Sequence, residues 1–401
     1  MSAALPLLQR PVLRSVLRSV RRTRFDRVQV YRTLRSAHLE RARAIGATSV
    51  LYRSRRADFD EALAEGLDLV RAGPWATAAT LLASRVRTVE VNEPLMLPAA
   101  RQGVLTVLAA RLSGALHRVD VRVVAYAIEN RDPRASPAPT ARRRLRRSLD
   151  LRAARFLARH VDRIAYGTTG AAHLYADLLP GTAARGLSRV VEALPAPCDC
   201  PPGTGARPGS VLFLGALEER KGFHLLARAW PQVLRSHPAA TLAVVGTGPL
   251  AGLAHETARN HPGVSVLVDP PRAEVHRQLR RAAVLVLPSQ RTPTWREQVG
   301  LPLVEGLAHG CLVVTTAESG IAPWLAGHGH VVLDPAVDAA GVAAAVVAAL
   351  GSARTGAEVL ADLPAQDGRR AADAWLHAPA VDPPGADPAA VDRRRRRSRR
   401  V

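Results

Sequence analysis

Residues 210–223 read SVLFLGALEERKGF. A short apolar, β-branched run passes through Gly215 into a charged loop, and a second glycine then opens a helix-length stretch, the βα unit of a parallel sheet. A helix that starts at such a point offers unpaired N–H groups and its positive dipole end to an anion. Gly215 lets the backbone approach a ligand, and Lys221 sits where its ammonium reaches the same anion. Lys221 is the only lysine of the chain; the other 55 of its 56 Lys and Arg residues are arginines. A compact ammonium contacts one phosphate oxygen without imposing the planar fork of a guanidinium, which gives chemistry a reason to keep lysine here. The competing reading is a surface lysine left by chance. The glycine-bounded strand-to-helix context favours function.

Working outward, the same alternation recurs. TLAVVG (241–246), VSVLV (264–268), AVLVLPS (283–289) and CLVVTT (311–316) are further strand-like runs, each bounded by Gly, Pro or Ser and separated by helix-length segments. Upstream, SVLY (49–52), TVEV (88–91), VRVVAYAI (121–128) and RIAYG (163–167) form a second series. Between the two lies ALPAPCDCPPGTGAR (193–207), dense in Pro and Gly and without an apolar period. The pattern predicts an α/β protein with two Rossmann-like, doubly wound domains facing across a cleft, and ligands binding between the carboxyl ends of both sheets. The expected divisions are a basic N-terminal arm with helices at 1–45, a first domain at 46–195, a linker at 196–208, a second domain at 209–352, a helical segment at 353–378 and a disordered Arg-rich tail at 379–401.

Composition limits the alternatives. A chain of 401 residues with 47% apolar and 22% charged residues can bury sizeable cores and exceeds one. The net charge of +22 would suit a polyanion, yet seven arginines fall in the terminal run Arg393–Arg400 and aromatics make up only 4%. Basic residues interleaved with aromatics are missing, so nucleic acid is not expected as a partner. The three cysteines cannot build a disulfide framework, and Cys198-Asp-Cys200 is too tight for the usual zinc knuckle, so reduced cytoplasmic thiols are expected. In VLRSVLRSVRR (12–22), apolar residues at helical spacing alternate with arginines. This reads either as an interfacial helix giving peripheral contact with an anionic membrane, or as a helix packed on its own domain. No apolar run is long enough to span a bilayer.

The second chemical signal is PSQRTPTWREQVGLPLVEGLAHGCLVVTT (288–316). Glu297 and Glu305 flank Gly300, which places the first in a loop and the second in the opening turns of the next helix. Carboxylates accept hydrogen bonds from paired hydroxyls, and two of them suit a sugar and a ribose.

With these pieces the second half, about residues 210–335, resembles the donor-binding half of a retaining family 4 glycosyltransferase of GT-B fold. The matching stretches are LFLGALEERKG, VVGTGP (244–249), LVLPS, the Glu297–Glu305 block and ESGIAPWL, in the family's order. The resemblance implies sugar transfer from a nucleotide diphosphate donor, with Lys221 on the diphosphate, Glu305 on the ribose hydroxyls and Glu297 on the transferred sugar; Gly215, Gly246 and Gly300 belong to the same donor site. No cofactor or metal is expected. The family often has an arginine where this chain has Ala216, and Arg220, Arg291 and Arg296 are equal candidates to supply that cation. On the acceptor side, Glu129 stands near where relatives carry a catalytic histidine. Asn92 and Asn130 share those strand ends, with a structural hydrogen-bonding role as the alternative for all three. Arg53, Arg55 and Arg56 read as contacts to an anionic acceptor or as a solvated turn. The rival readings are a nucleotide-sugar epimerase or phosphorylase on the same fold, and a non-catalytic polyanion-binding protein.

Overall fold

The computed structural model describes residues 20–56, 59–182, 187–200 and 206–378. Two all-parallel sheets make up its framework. The first contains β1 (Arg27–Leu34), β2 (Ser49–Arg55), β3 (Asp68–Arg71), β4 (Thr88–Val91), β5 (Arg122–Ala127), β6 (Arg163–Tyr166) and β7 (Leu187–Val190), in the order β3-β2-β1-β4-β5-β6-β7. Its helices are α1 (Ser36–Ile45), α2 (Pro74–Ala83), α3 (Leu97–His117), α4 (Ala141–His160) and α5 (Thr169–Leu178).

The second sheet contains β8 (Ser210–Leu214), β9 (Thr241–Val245), β10 (Val264–Leu267), β11 (Val284–Leu287), β12 (Leu312–Thr316) and β13 (Val331–Leu333), in the order β10-β9-β8-β11-β12-β13. With it run α6 (Phe223–Ser236), α7 (Ala251–Asn260), α8 (Arg272–Arg281), α9 (Leu301–Ala308), α10 (Ala322–Gly327), α11 (Ala339–Leu350) and α12 (Gly356–Ala361). Its central strands β8, β11 and β12 are buried along their whole length. That burial requires helices on both faces and explains their mostly apolar sequences. Trp230, Phe213 and Phe223 anchor this core.

Both sheets are doubly wound, so each has a point where consecutive connections leave in opposite directions: β1 beside β4, with Val28 opposite Val89, and β8 beside β11, with Val211 opposite Val284. A crevice opens there at the carboxyl ends of the strands. The two carboxyl edges meet, because Asn130, just beyond β5, hydrogen-bonds to backbone beyond β11 and β12.

The expected basic arm at 1–45 is corrected by this architecture. Arg27–Leu34 is a central strand of the first sheet and Ser36–Ile45 is its first crossover helix, so SVLY is the second strand and not the first. Within RVQVYRTL, Gln29 is fully buried and donates to Glu90 Oε2 at 3.1 Å. Most of the amphipathic stretch at 12–22 and all of the arginine run at 393–400 lie outside the described residues.

The last helix, α13 (Gly368–His377), lies on the first sheet, where Ala372 and Leu376 pack on Val124 of β5 and Ala165 of β6. A buried ionic network fastens it there. Arg41 of α1 pairs with Glu90 of β4 and with Asp373 of α13, at 2.7 Å for the latter, and donates to Tyr31 Oη at 2.6 Å. Arg369 adds contacts to Glu90 at 2.9 Å and to Asp373 at 3.2 Å.

Candidate functional site

The loop after β8 is built by short backbone bonds. Leu217 donates to Thr247 O at 2.8 Å, Lys221 to Glu218 O at 3.0 Å, and Gln290, beyond β11, to Arg220 O at 2.8 Å. A single helical turn, Glu219–Lys221, precedes Gly222, and α6 starts at Phe223, later than a helix opening directly from Gly215 would. Gly222 has φ +75°, and a Cβ there would lie 2.1 Å from Pro288 O, so only glycine lets this loop close on the end of β11. Gly246 serves the same purpose at the end of β9: its Cβ would meet Gly215 O at 1.9 Å. Gly300 caps α9 in the left-handed region.

Lys221 is buried, and its ammonium forms an ion pair with the buried carboxylate of Glu297. Ser289 Oγ donates to the same Glu297 Oε2 at 3.2 Å, and the ammonium lies 5.1 Å from the centre of the Trp295 ring. The structure thus joins two residues 76 positions apart at the crevice between β8 and β11. Glu305 is half-buried on α9 and pairs instead with Arg272 of α8 at 2.8 Å.

The three arginines considered for the cation missing at Ala216 are all engaged. Arg220 pairs with Glu218 and lies 4.5 Å from the Trp295 ring centre. Arg291 and Arg296 both reach Glu318, each at 3.0 Å. Glu318 is fully buried beyond β12 and was missed in the sequence, although it lies within ESGIAPWL; nothing local marks its carboxylate as the partner of two arginines.

On the first domain, Asn130 is a bridge between the sheets. Its Nδ2 donates to Glu297 O at 2.7 Å, Arg296 donates to Asn130 O at 3.0 Å, and Asn130 Oδ1 is buried with no hydrogen-bond partner among the described residues. Glu129 is half-buried and accepts from the Arg131 amide at 3.0 Å. Asn92 donates to Val30 O at 3.1 Å, which ties the end of β4 to β1. Arg53 and Arg56 are exposed, whereas Arg55 stacks on Phe59, 4.2 Å from its ring centre, and pairs with Glu61.

Glu93 was overlooked as a functional residue. Its Oε2 accepts from the amides of Ile128 and Glu129 at 3.0 and 2.9 Å and contacts Tyr175 Oη at 3.2 Å, so it orders the loop carrying Glu129 and Asn130. Burial pushes its carboxyl up to about 7, against the lowering effect of those amides. A carboxyl raised above its ordinary 4.5 in the fold binds a proton that the unfolded chain has released, so its contribution is complete below pH 4.5 and lost as pH rises through about 7. Denaturant titrations across that window should show the native chain losing stability relative to Glu93→Gln; parallel curves would remove Glu93 as a titrating group.

Among the described residues, two clusters bring three or more His, Cys, Asp or Glu donor atoms together, and neither includes Lys221, Glu297 or Glu305. One of them, Glu90 with Asp373 and His377, is already served by Arg41 and Arg369. No described helix is long and apolar enough to cross a membrane.

Residues 208–352, which hold Lys221, Glu297 and Glu305, match the family described as glycosyl transferases group 1. Over 148 residues the chain is 32% identical to glycogen synthase of Mycobacterium tuberculosis, covering 36% of this chain and 34% of that protein. Over 105 residues it is 34% identical to phosphatidyl-myo-inositol mannosyltransferase of Propionibacterium freudenreichii, covering 26% and 24%. The chain thus spans about a third or less of the length of these curated relatives. Among solved structures, Anabaena HepE in complex with UDP superposes with a TM-score of 0.62 at 13% identity, over 86% of this chain and 94% of that one. WaaG, a glycosyltransferase involved in lipopolysaccharide biosynthesis, gives 0.54 at 15% identity, over 88% and 100%. The fold is that of the GT-B glycosyltransferases, two Rossmann-like domains with facing carboxyl edges.

Proposed function

We propose that the chain is a glycosyltransferase that moves a sugar from a nucleotide diphosphate donor to an acceptor hydroxyl, with retention at the anomeric carbon. The observation that carries this reading is the buried Lys221–Glu297 pair at the crevice of the second sheet. The match of residues 208–352 supports it, as do the UDP and UDP-glucose complexes of the similarly folded HepE.

In the reaction the bond between the anomeric carbon and the diphosphate oxygen breaks, its electron pair leaving with the nucleoside diphosphate, while the acceptor oxygen bonds to the same carbon and gives up its proton to an oxygen of the departing diphosphate. Charge therefore develops on the departing diphosphate. Lys221 and the first amides of α6 lie where they neutralise it, and preorganised donors of this kind act strongly in a site shielded from water. Binding of the donor moves the Lys221 ammonium from Glu297 toward a phosphate oxygen, which frees the Glu297 carboxylate for hydroxyls of the sugar. Glu305 takes the ribose hydroxyls. Asn130, with its unpaired Oδ1, and Glu129 stand on the acceptor side of the crevice.

A panel of nucleotide sugars tests the reading through nucleoside diphosphate release that depends on added acceptor. Product without acceptor would point to an epimerase, and dependence on inorganic phosphate to a phosphorylase. Glu305→Gln keeps the shape but weakens hydrogen bonds to a charged acceptor, each contributing about 1.5 to 3 kcal/mol. Nucleoside diphosphate affinity should fall about tenfold or more by calorimetry. An unchanged Kd would take Glu305 out of the donor site.

A further inference from the structure

We propose that Cys198, Cys200, His276 and His309 form a four-coordinate structural site for a zinc-class metal ion, one that fastens the segment between the two sheets to the second domain. The Cys-Asp-Cys spacing by itself argued against zinc, being too tight for the usual zinc knuckle. The fold supplies two histidines from 78 and 109 residues further along. His276 lies in the middle of α8 and His309 at the end of α9, and all four donor atoms lie within 4.8 Å of one another.

The separations resemble those of a tetrahedral site. Metal–sulfur and metal–nitrogen bonds of about 2.3 and 2.0 Å place donors about 3.3 to 3.8 Å apart around a tetrahedron. Here Cys198 Sγ is 3.8 Å from His276 Nδ1, Cys200 Sγ is 3.5 Å from His309 Nε2, and the two imidazole nitrogens are 3.0 Å apart. The thiol sulfurs, at 2.8 Å, need only spread on binding. Two sulfur and two imidazole donors in this arrangement select zinc over the hard cations that prefer oxygen.

The hydrogen bonding of His309 and of the nearby backbone suits such a site. His309 Nδ1 lies 2.7 Å from Glu305 O, and a proton donated there leaves the Nε2 lone pair facing the cluster, the orientation that ligating histidines commonly show. The backbone is arranged to match: the Cys198 amide donates to Ala308 O at 2.8 Å, which lays the connecting segment against the end of α9. A Cys198–Cys200 disulfide is the rival use of these thiols, but it would leave two converging imidazoles unexplained.

The site lies outside the transfer chemistry, yet it touches α9 next to Glu305, whose carboxylate is held by Arg272, one helical turn before His276. A bound metal therefore holds together the middle of α8, the end of α9 and the incoming chain.

The test uses the full chain, purified with reductant and without chelator. Elemental analysis should find about one zinc per chain. Cys200→Ser and His276→Ala should each reduce this at least about tenfold. Because a variant that misfolds would also lose metal, the native chain is stripped, reduced and titrated with cobalt(II). Thiolate-to-cobalt charge transfer, tetrahedral cobalt bands and a melting temperature that rises with added zinc are expected. Stripped, reduced protein that takes up less than about a tenth of an equivalent from excess zinc, with no change in melting temperature, overturns the proposal. So does protein isolated without reductant that carries the Cys198–Cys200 disulfide and binds no zinc once reduced.

Discussion

Lys221→Ala should transfer sugar about a hundredfold to a thousandfold more slowly than the native chain, the range typical for removing one preorganised donor from a developing negative charge. Lys221→Arg should fall between the two. The burial of Lys221 and its pairing with Glu297 sharpen both expectations. The ammonium occupies a confined position beside Trp295 and Ser289, where a longer planar guanidinium would have to displace neighbours or misplace its donors. Among the described residues, the alanine variant also leaves the Glu297 carboxylate with the Ser289 hydroxyl as its one side-chain partner, so its melting temperature should fall. Kinetics are therefore to be compared well below the melting of either variant. Wild-type kcat/KM in Lys221→Arg would make this lysine an accident of composition.

The second large effect concerns stability. Arg41→Ala should cost about 3 to 5 kcal/mol in denaturant unfolding, because it leaves buried carboxylates short of a partner. Arg41 contacts Glu90, Asp373 and Tyr31 at once, and so ties α1, β4 and α13 together. Its partners hold the guanidinium charged in spite of burial, while the same contacts keep Glu90 well below the usual carboxylate range. Arg369 continues to hold Glu90, which limits the loss but does not remove it. Arg53→Ala, on an exposed side chain of β2, serves as control and should change stability by no more than about 0.5 kcal/mol. A loss in Arg41→Ala no larger than in this control would show that the network contributes nothing net.

Much of this fold is legible residue by residue, because a strand buried on both faces is mostly apolar. VLFL, VLVL and LVVTT announce β8, β11 and β12 for that reason, and the glycines of GALEERKG mark where the chain turns tightly enough to close on the ends of the neighbouring strands. The strands that escaped notice lack that signature. β3 and β7 are short edge strands with polar residues in them, β7 being exposed throughout, and β13, at the other sheet's edge, is apolar but only three residues long. β1 is central yet polar at Gln29 and Arg32, since part of what it buries is a hydrogen bond to Glu90, which lies 61 residues away.

The sites divide along the same line. By itself the sequence determined the two parallel domains, the loop that carries Lys221 and the neighbourhood of Glu297 and Glu305, since each depends on residues adjacent in the chain. Only the tertiary structure decided that Lys221 pairs with Glu297, that Arg291 and Arg296 serve Glu318, that Asn130 bridges the sheets, and that two cysteines meet two histidines. Local periodicity records which faces are buried, but these encounters depend on where crossovers deliver side chains at the carboxyl ends of different strands and at the ends of different helices, and no short stretch of sequence encodes that.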